Sequence, residues 1–217
     1  MHLEKRFWTF IEGLWALDHL EFRTAVENLT HPSIIPTFPD EILYTLLRGR
    51  DRLHENPHDD VLALAYYNCV KPPLEDQKSR NEFAKYLAAR NVTEAYYWMR
   101  SRPEYEHKPL LEILIDQALE RSAWSGVEEE SYAREDKALE FVSLPFSEEE
   151  EEFVEKFLTE GKGRTYQGAS DTLLMRRIAM GRLADVAGEA GTRGRTHDGL
   201  NWAVSYTHLT LPTILRV

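Results

Sequence analysis

Cysteine is nearly absent: Cys69 is the only one in 217 residues. A disulfide framework is therefore excluded, and a reducing compartment fits. Cys69 lies in the run Val61-Leu62-Ala63-Leu64-Ala65-Tyr66-Tyr67-Asn68-Cys69-Val70 with only Lys71 as a nearby cation, so a buried, inert thiol is expected. Glycine is also scarce, with only Gly13, Gly49 and Gly126 before residue 161. The apolar N-terminal stretch is broken by Glu12 and Asp18 and has no small-residue cleavage site, so neither a signal peptide nor a membrane span is expected. Positive charge is short as well. The net charge is −11, and about −12 rests on residues 1–187 once the three arginines and two acids of 188–217 are set against each other. A polyanion-binding face on that body is not expected.

The motifs of catalysis are missing too. No Gly-x-Ser-x-Gly, His-Glu-x-x-His or paired Cys-x-x-Cys occurs, and Gly161-Lys162-Gly163-Arg164 lacks the ending of a phosphate loop. Asp18-His19 has no partners at ligand spacing. His54, His58, Asp59 and Asp60 flank Pro57 where a helix is expected to open, so they read as loop and capping residues rather than metal ligands. Glu128-Glu129-Glu130 and Glu148–Glu152 read as solvated acids at helix starts. No catalytic residue, metal ligand or cofactor-binding residue is assigned, and no small-molecule substrate is expected.

What the sequence does have is helical periodicity. Leu3, Phe7, Phe10, Leu14 and Leu17 mark one face of a first helix. Asp18 is expected to cap a second helix over 20–29, with Glu21 completing a capping box and Phe22, Val26 and Leu29 inward. Thr30-His31-Pro32 stops it. Thr37 is expected to cap a third helix with Pro39, Asp40 and Glu41 in its first turn and Ile42, Leu43, Leu46 and Leu47 buried. Further helices are expected from Asp59-Asp60 through Cys69, then over 74–90, 92–100, 109–122 and 129–141. Ser147 with Glu150 forms a capping box before the next. The last starts at Ser170 or Asp171, turns Leu173, Leu174 and Ile178 inward and ends at Gly181. The fold expected is all-α, an irregular α-solenoid or helical bundle of about nine to ten helices, with no strict repeat period.

After Ala187 the pattern stops, and the chain becomes rich in glycine. Residues 1–187 are expected to form the helical domain and 188–217 an unstructured, non-native tail, with 203–217 resembling translated sequencing-adapter DNA. Arg193-Gly194-Arg195 in that tail is part of an AT-hook core, with Thr196 in place of proline.

Trp8, Trp15, Tyr66, Tyr67, Tyr96, Tyr97 and Trp98 are many aromatics for a helical domain. Adjacent residues cannot share a helix face, so Tyr66, Tyr67, Tyr96, Tyr97 and Trp98 are the candidates for a partner surface.

Several of these segments together resemble the ELYS family of nuclear pore assembly proteins. They are Gly13-Leu14-Trp15-Ala16-Leu17-Asp18-His19, Ala25-Val26-Glu27-Asn28-Leu29-Thr30-His31-Pro32, Pro36-Thr37-Phe38-Pro39-Asp40, Ala63-Leu64-Ala65-Tyr66-Tyr67 and Pro72-Pro73-Leu74. Leu173-Leu174-Met175-Arg176-Arg177 with Gly181-Arg182 is a weaker match. The resemblance, closest to the compact fungal form, implies a non-enzymatic helical scaffold at the nuclear pore and nuclear envelope. Its implied partners are nucleoporins of the Y-shaped scaffold complex, with no membrane insertion. Implied roles are Trp15 in the core and Asp18 as a cap. The alternatives are a direct nucleic-acid or chromatin binder, or a helical-repeat adaptor in another process.

Overall fold

The computed structural model describes residues 4–49, 61–119, 137–166 and 168–182. Among the described residues every regular element is helical and no strand occurs, so the all-α expectation holds. The helices are α1 (Lys5–Asp18), α2 (Phe22–Leu29), α3 (Pro39–Gly49), α4 (Leu62–Val70), α5 (Gln77–Arg90), α6 (Val92–Arg100) and α7 (Glu104–Leu119). They continue with α8, described over 137–143, α9 (Glu148–Thr159), a 3₁₀ turn (Lys162–Thr165) and α10 (Ala169–Ala179). None is long and apolar enough to cross a membrane among the described residues. The tail beyond Arg182, the His54, His58, Asp59 and Asp60 cluster and Glu128–Glu130 lie outside the described residues.

The chain divides into two compact units, residues 1–117 and 118–217. In the first, α1 packs on α2, α3 on α4 and α5, and α5 on α6. The expected faces of α2 and α3 are buried: Phe22, Val26 and Leu29 on one, Ile42, Leu43, Leu46 and Leu47 on the other. Two glycines let these helices close. A Cβ at Gly13 would sit 2.7 Å from Leu29, and one at Gly49 would sit 2.1 Å from the ring of Phe22.

The α1–α2 joint is built differently from the sequence expectation. Asp18 is the last residue of α1, and α2 starts after Glu21 with no side-chain cap. The Leu20 N–H donates to Leu17 O at 3.2 Å and the Glu21 N–H to Ala16 O at 2.9 Å, with Leu20 left-handed at φ 63°. That pair of bonds is a Schellman closure, so the residues read as a helix start are used to finish the preceding helix. Trp15, expected in the core, is 55% exposed and stacks on His19 with ring centroids 3.9 Å apart. Phe7 is exposed as well, because the buried face of α1 is Gly13, Ala16 and Leu17. Thr37 does not cap α3. Its hydroxyl donates to Ile35 O, and left-handed Phe38 (φ 53°) stands between it and the helix.

Two further corrections concern α4 and α7. Cys69 is exposed, since Ala63 and Tyr66 carry the buried face of α4. Helix α7 begins at Glu104, five residues before the expected start, with Pro109 inside it. Proline there forgoes one i→i−4 bond. The carbonyl left over belongs to the highly exposed Tyr105, where water can satisfy it.

In the second unit, α9 carries the expected capping box. The Glu150 N–H donates to Ser147 Oγ at 3.3 Å, and the Ser147 N–H donates back to Glu150 Oε2 at 2.8 Å. Gly181 ends α10 as expected, left-handed at φ 73°. Leu173 faces inward, but Leu174 and Ile178 are exposed; the large buried side chain of α10 is Arg176, at 0% exposure. Its Nη1 donates to the carbonyls of Phe141 (2.7 Å) and Val142 (2.9 Å), and its Nη2 to Leu144 O (3.1 Å) and Glu151 Oε2 (2.7 Å). Its Nε donates to Glu151 Oε1 at 3.1 Å, so all five donors are used. The guanidinium also lies 4.1 Å over the ring of Phe146.

Two stability predictions follow from this packing. Gly49→Ala drives a methyl into the ring of Phe22 and should lower unfolding free energy by about 1–3 kcal/mol in urea titration. Arg176→Met strands three carbonyls and the Glu151 carboxylate, and should cost about 3–5 kcal/mol in the same measurement.

Candidate functional site

The five candidate aromatics all belong to α4 and α6 in the first unit. Tyr66 and Tyr96 are buried, and burial, with the nearby charges of Asp40 and Glu41 adding to it, raises the Tyr66 hydroxyl well above the ordinary tyrosine range. Tyr67 and Trp98 meet across Phe83 of α5. Phe83 stacks on Tyr67 at 4.2 Å and takes Trp98 edge-on at 5.3 Å, while Trp98 Nε1 donates to the Tyr67 hydroxyl at 2.9 Å. Edge-on and stacked contacts of this kind each add about 0.5–1.5 kcal/mol beyond burial. Tyr97 is turned outward, 59% exposed, with its ring edge-on to Tyr96.

Beside this cluster runs the connector Lys71–Asp76, which joins α4 to α5. Lys71 and Leu74 are both left-handed, at φ 52° and 53°, and Leu74 is fully buried. A buried turn of this shape leaves its own peptide groups without helical partners, so they need partners from elsewhere. Asp40, in the first turn of α3, supplies the acceptors: its carboxylate takes the N–H of Leu74 at 3.0 Å and of Glu75 at 2.9 Å. Arginines supply the donors. Arg80 Nη1 reaches Leu74 O at 3.2 Å, and Arg102 Nη1 reaches Pro73 O at 3.2 Å. Glu106, itself buried, accepts from Arg80 Nη1 at 3.0 Å and from Arg102 Nε at 2.9 Å. His107 Nε2 donates to Arg102 O at 2.7 Å, which ties the first turn of α7 to the loop that follows α6. Asp76 then caps α5 by accepting from the Ser79 N–H, and that backbone bond leads the causes holding its carboxyl below the usual range.

Sequence reasoning placed Asp40 as a favourable charge on a helix dipole and missed its bonds to the connector. Arg80, Arg102 and Glu106 were missed altogether. The only signal was the four-residue spacing of Arg102 and Glu106; nothing local marks Arg80 as their third member.

The inventory for chemistry is thin. No group of three His, Cys, Asp or Glu is placed to hold a metal among the described residues. A hollow of about 220 Å³ beside Arg80, Tyr105 and Glu106 is smaller than ordinary ligand sites. A wider one of about 370 Å³ in the second unit, lined by Thr159, Arg164, Tyr166 and Ser170, has no acid, histidine or cysteine in its described lining. Gly163 has no phosphate-loop geometry; it sits in the 3₁₀ turn and packs on Phe157 and Leu158.

The Asp40 clamp on Pro72-Pro73-Leu74 ties two of the motif segments to one joint. The family model for ELYS, nuclear pore complex assembly, matches residues 1–161. The chain belongs to the ELYS family. It is 27% identical over 175 residues to the uncharacterized protein ely5 of Schizosaccharomyces pombe, a match covering 80% of this chain and 51% of that protein. The chain thus spans about half the length of the curated relative it matches. No solved structure matches it. Membership in the ELYS family implies a role in nuclear pore complex assembly, and together with the all-helical fold it points to a non-enzymatic role. Within the ELYS domain, the matched motifs serve packing and connection: Gly13 admits Leu29, and Asp40 holds the connector that ends in Leu74.

Glu106 makes the clamp sensitive to acid. Burial alone would raise its carboxyl, but the hydrogen bond and charge of Arg102 and the charge of Arg80 outweigh it and leave it below the ordinary value. Its stabilisation is therefore fully present above the ordinary glutamate value of about 4.3 and is lost as pH falls through the lower folded value. The urea midpoint of Glu106→Gln should lie below that of the parent at pH 7, and the gap should narrow as pH drops below about 4.

Proposed function

We propose that this ELYS domain is a non-enzymatic adaptor in nuclear pore complex assembly that binds helical proteins of the Y-shaped scaffold complex at the nuclear envelope. The observation that carries the reading is the family match over residues 1–161. The described residues support it in chemistry. Large apolar side chains such as Trp8, Trp15 and Tyr97 stand in solvent. Exposed tryptophan and tyrosine are the residue types that most often anchor protein interfaces. Tyr97 is the candidate of the α4–α6 aromatic group that stands furthest into solvent, with its ring edge-on to buried Tyr96.

The net charge of −11 weighs against direct binding of nucleic acid. The adaptor role is assigned to residues 1–187, and none is assigned to 188–217.

The native gene product carrying a fluorescent tag should give a punctate nuclear rim and should co-purify Y-complex subunits. A diffuse cytosolic signal without those subunits would overturn the reading.

A further inference from the structure

Helix α1 has two apolar faces, and its packing on α2 uses one. Gly13, Ala16 and Leu17 are buried. On the opposite side Phe7, Trp8, Ile11 and Trp15 are between 39% and 55% exposed. Single apolar residues on a surface are ordinary, but two tryptophans, a phenylalanine and an isoleucine along one stripe mark an interaction site. The spacing narrows the kind of partner. Glu4, Trp8, Ile11, Trp15 and Asp18 follow one another at alternating intervals of four and three residues. That is the seam a second helix packs along, because it keeps successive side chains on one line.

Charge narrows it further. The seam begins at Glu4 and ends at Asp18, with Glu12 beside it, and all three are exposed. Arg6 pairs with Glu4 and softens that end, whereas the end at Asp18 is followed by exposed Glu21. A second copy laid along the seam would set acid against acid in either direction. Antiparallel pairing places Glu4 opposite Asp18, and parallel pairing places each acid opposite itself. An anionic membrane surface would be repelled by the same acids.

We infer that this face docks an amphipathic helix of a partner protein, with apolar residues at three- and four-residue spacing and lysine or arginine on its flanks. The inference rests on the adaptor reading and names the surface and the partner class for it. Apolar contact supplies the hold, and the basic flanks set register and speed of encounter.

The probe is a labelled synthetic peptide of about five helical turns, carrying leucine at that spacing and lysine on its flanks, titrated into the full chain by anisotropy. A control peptide has glutamate at every lysine position. The lysine peptide should bind saturably, weaken with added salt, and lose at least about tenfold in affinity against the Trp8→Ser/Trp15→Ser double variant. The glutamate peptide should not bind. Both substituted residues are exposed, so the variant should keep the parent's circular dichroism and melting temperature. Failure of the lysine peptide, or equal binding by the double variant, would overturn the inference. So would a dimer in sedimentation that Ile11→Glu abolishes, or pelleting with phosphatidylserine vesicles. Pore-rim localisation and co-purified subunits that survive the double substitution in the native protein would reject α1 as the partner surface and leave the adaptor reading standing. Peptide binding that behaves as expected, with no pore subunits recovered by the unsubstituted native protein, would support the docking face and remove the adaptor reading.

Discussion

Buried connectors that cannot satisfy their own peptide groups govern both units of this protein. Helices satisfy themselves internally, but a turn taken into the core must find partners, and each orphaned group costs about 1–3 kcal/mol. The two units answer with charged side chains. In the first, Asp40 accepts the N–H groups of Leu74 and Glu75, while Arg80 and Arg102 donate to the carbonyls of Pro73 and Leu74. In the second, Arg176 donates to the orphaned last-turn carbonyls of α8 at Phe141 and Val142, and to Leu144 at the start of the connector that follows. A buried guanidinium needs neutralising, and Glu106 and Glu151 sit where it is needed. Each connector is thus fixed to a helix distant in sequence, which sets where the next helix starts.

This explains what was legible in the sequence and what was not. Helices reveal themselves through local spacing, and α2, α3 and α6 appear where the apolar periodicity puts them. The Ser147–Glu150 box and the Gly181 stop are equally local signals, read within a few residues. Long-range satisfaction leaves no such mark. Nothing near Arg176 in the sequence shows that carbonyls some thirty residues earlier need its donors. The misreading at Asp18 has another cause: a residue between two helices can end one or begin the other. The Schellman bonds at Leu20 and Glu21 decide the matter, and they depend on Leu20 accepting a left-handed backbone.

The candidate surfaces were legible to a lesser degree. The rule that neighbours cannot share a helix face separates Tyr66 from Tyr67 and Tyr96 from Tyr97, but it cannot say which of each pair is turned inward. Trp98 is held by the Tyr67 hydroxyl, a contact between helices thirty-one residues apart in the chain. Trp15 misled for a different reason. Large aromatics are usually core, and only the close approach of Gly13 to Leu29 shows that α1 buries its small side instead.

Among the described residues of the first unit, both glycines are placed for helix contact, and the left-handed turns fall to Leu20, Phe38, Lys71 and Leu74. Residues with a Cβ resist that backbone, so these turns have little tendency to form by themselves. They are held only once the flanking helices have docked and the connector's partners are in place. A stacked repeat array can fray from one end, because each repeat leans only on its neighbours. Turns that depend on distant packing couple the loss of one joint to the loss of the others, so the first unit is built to melt as a whole.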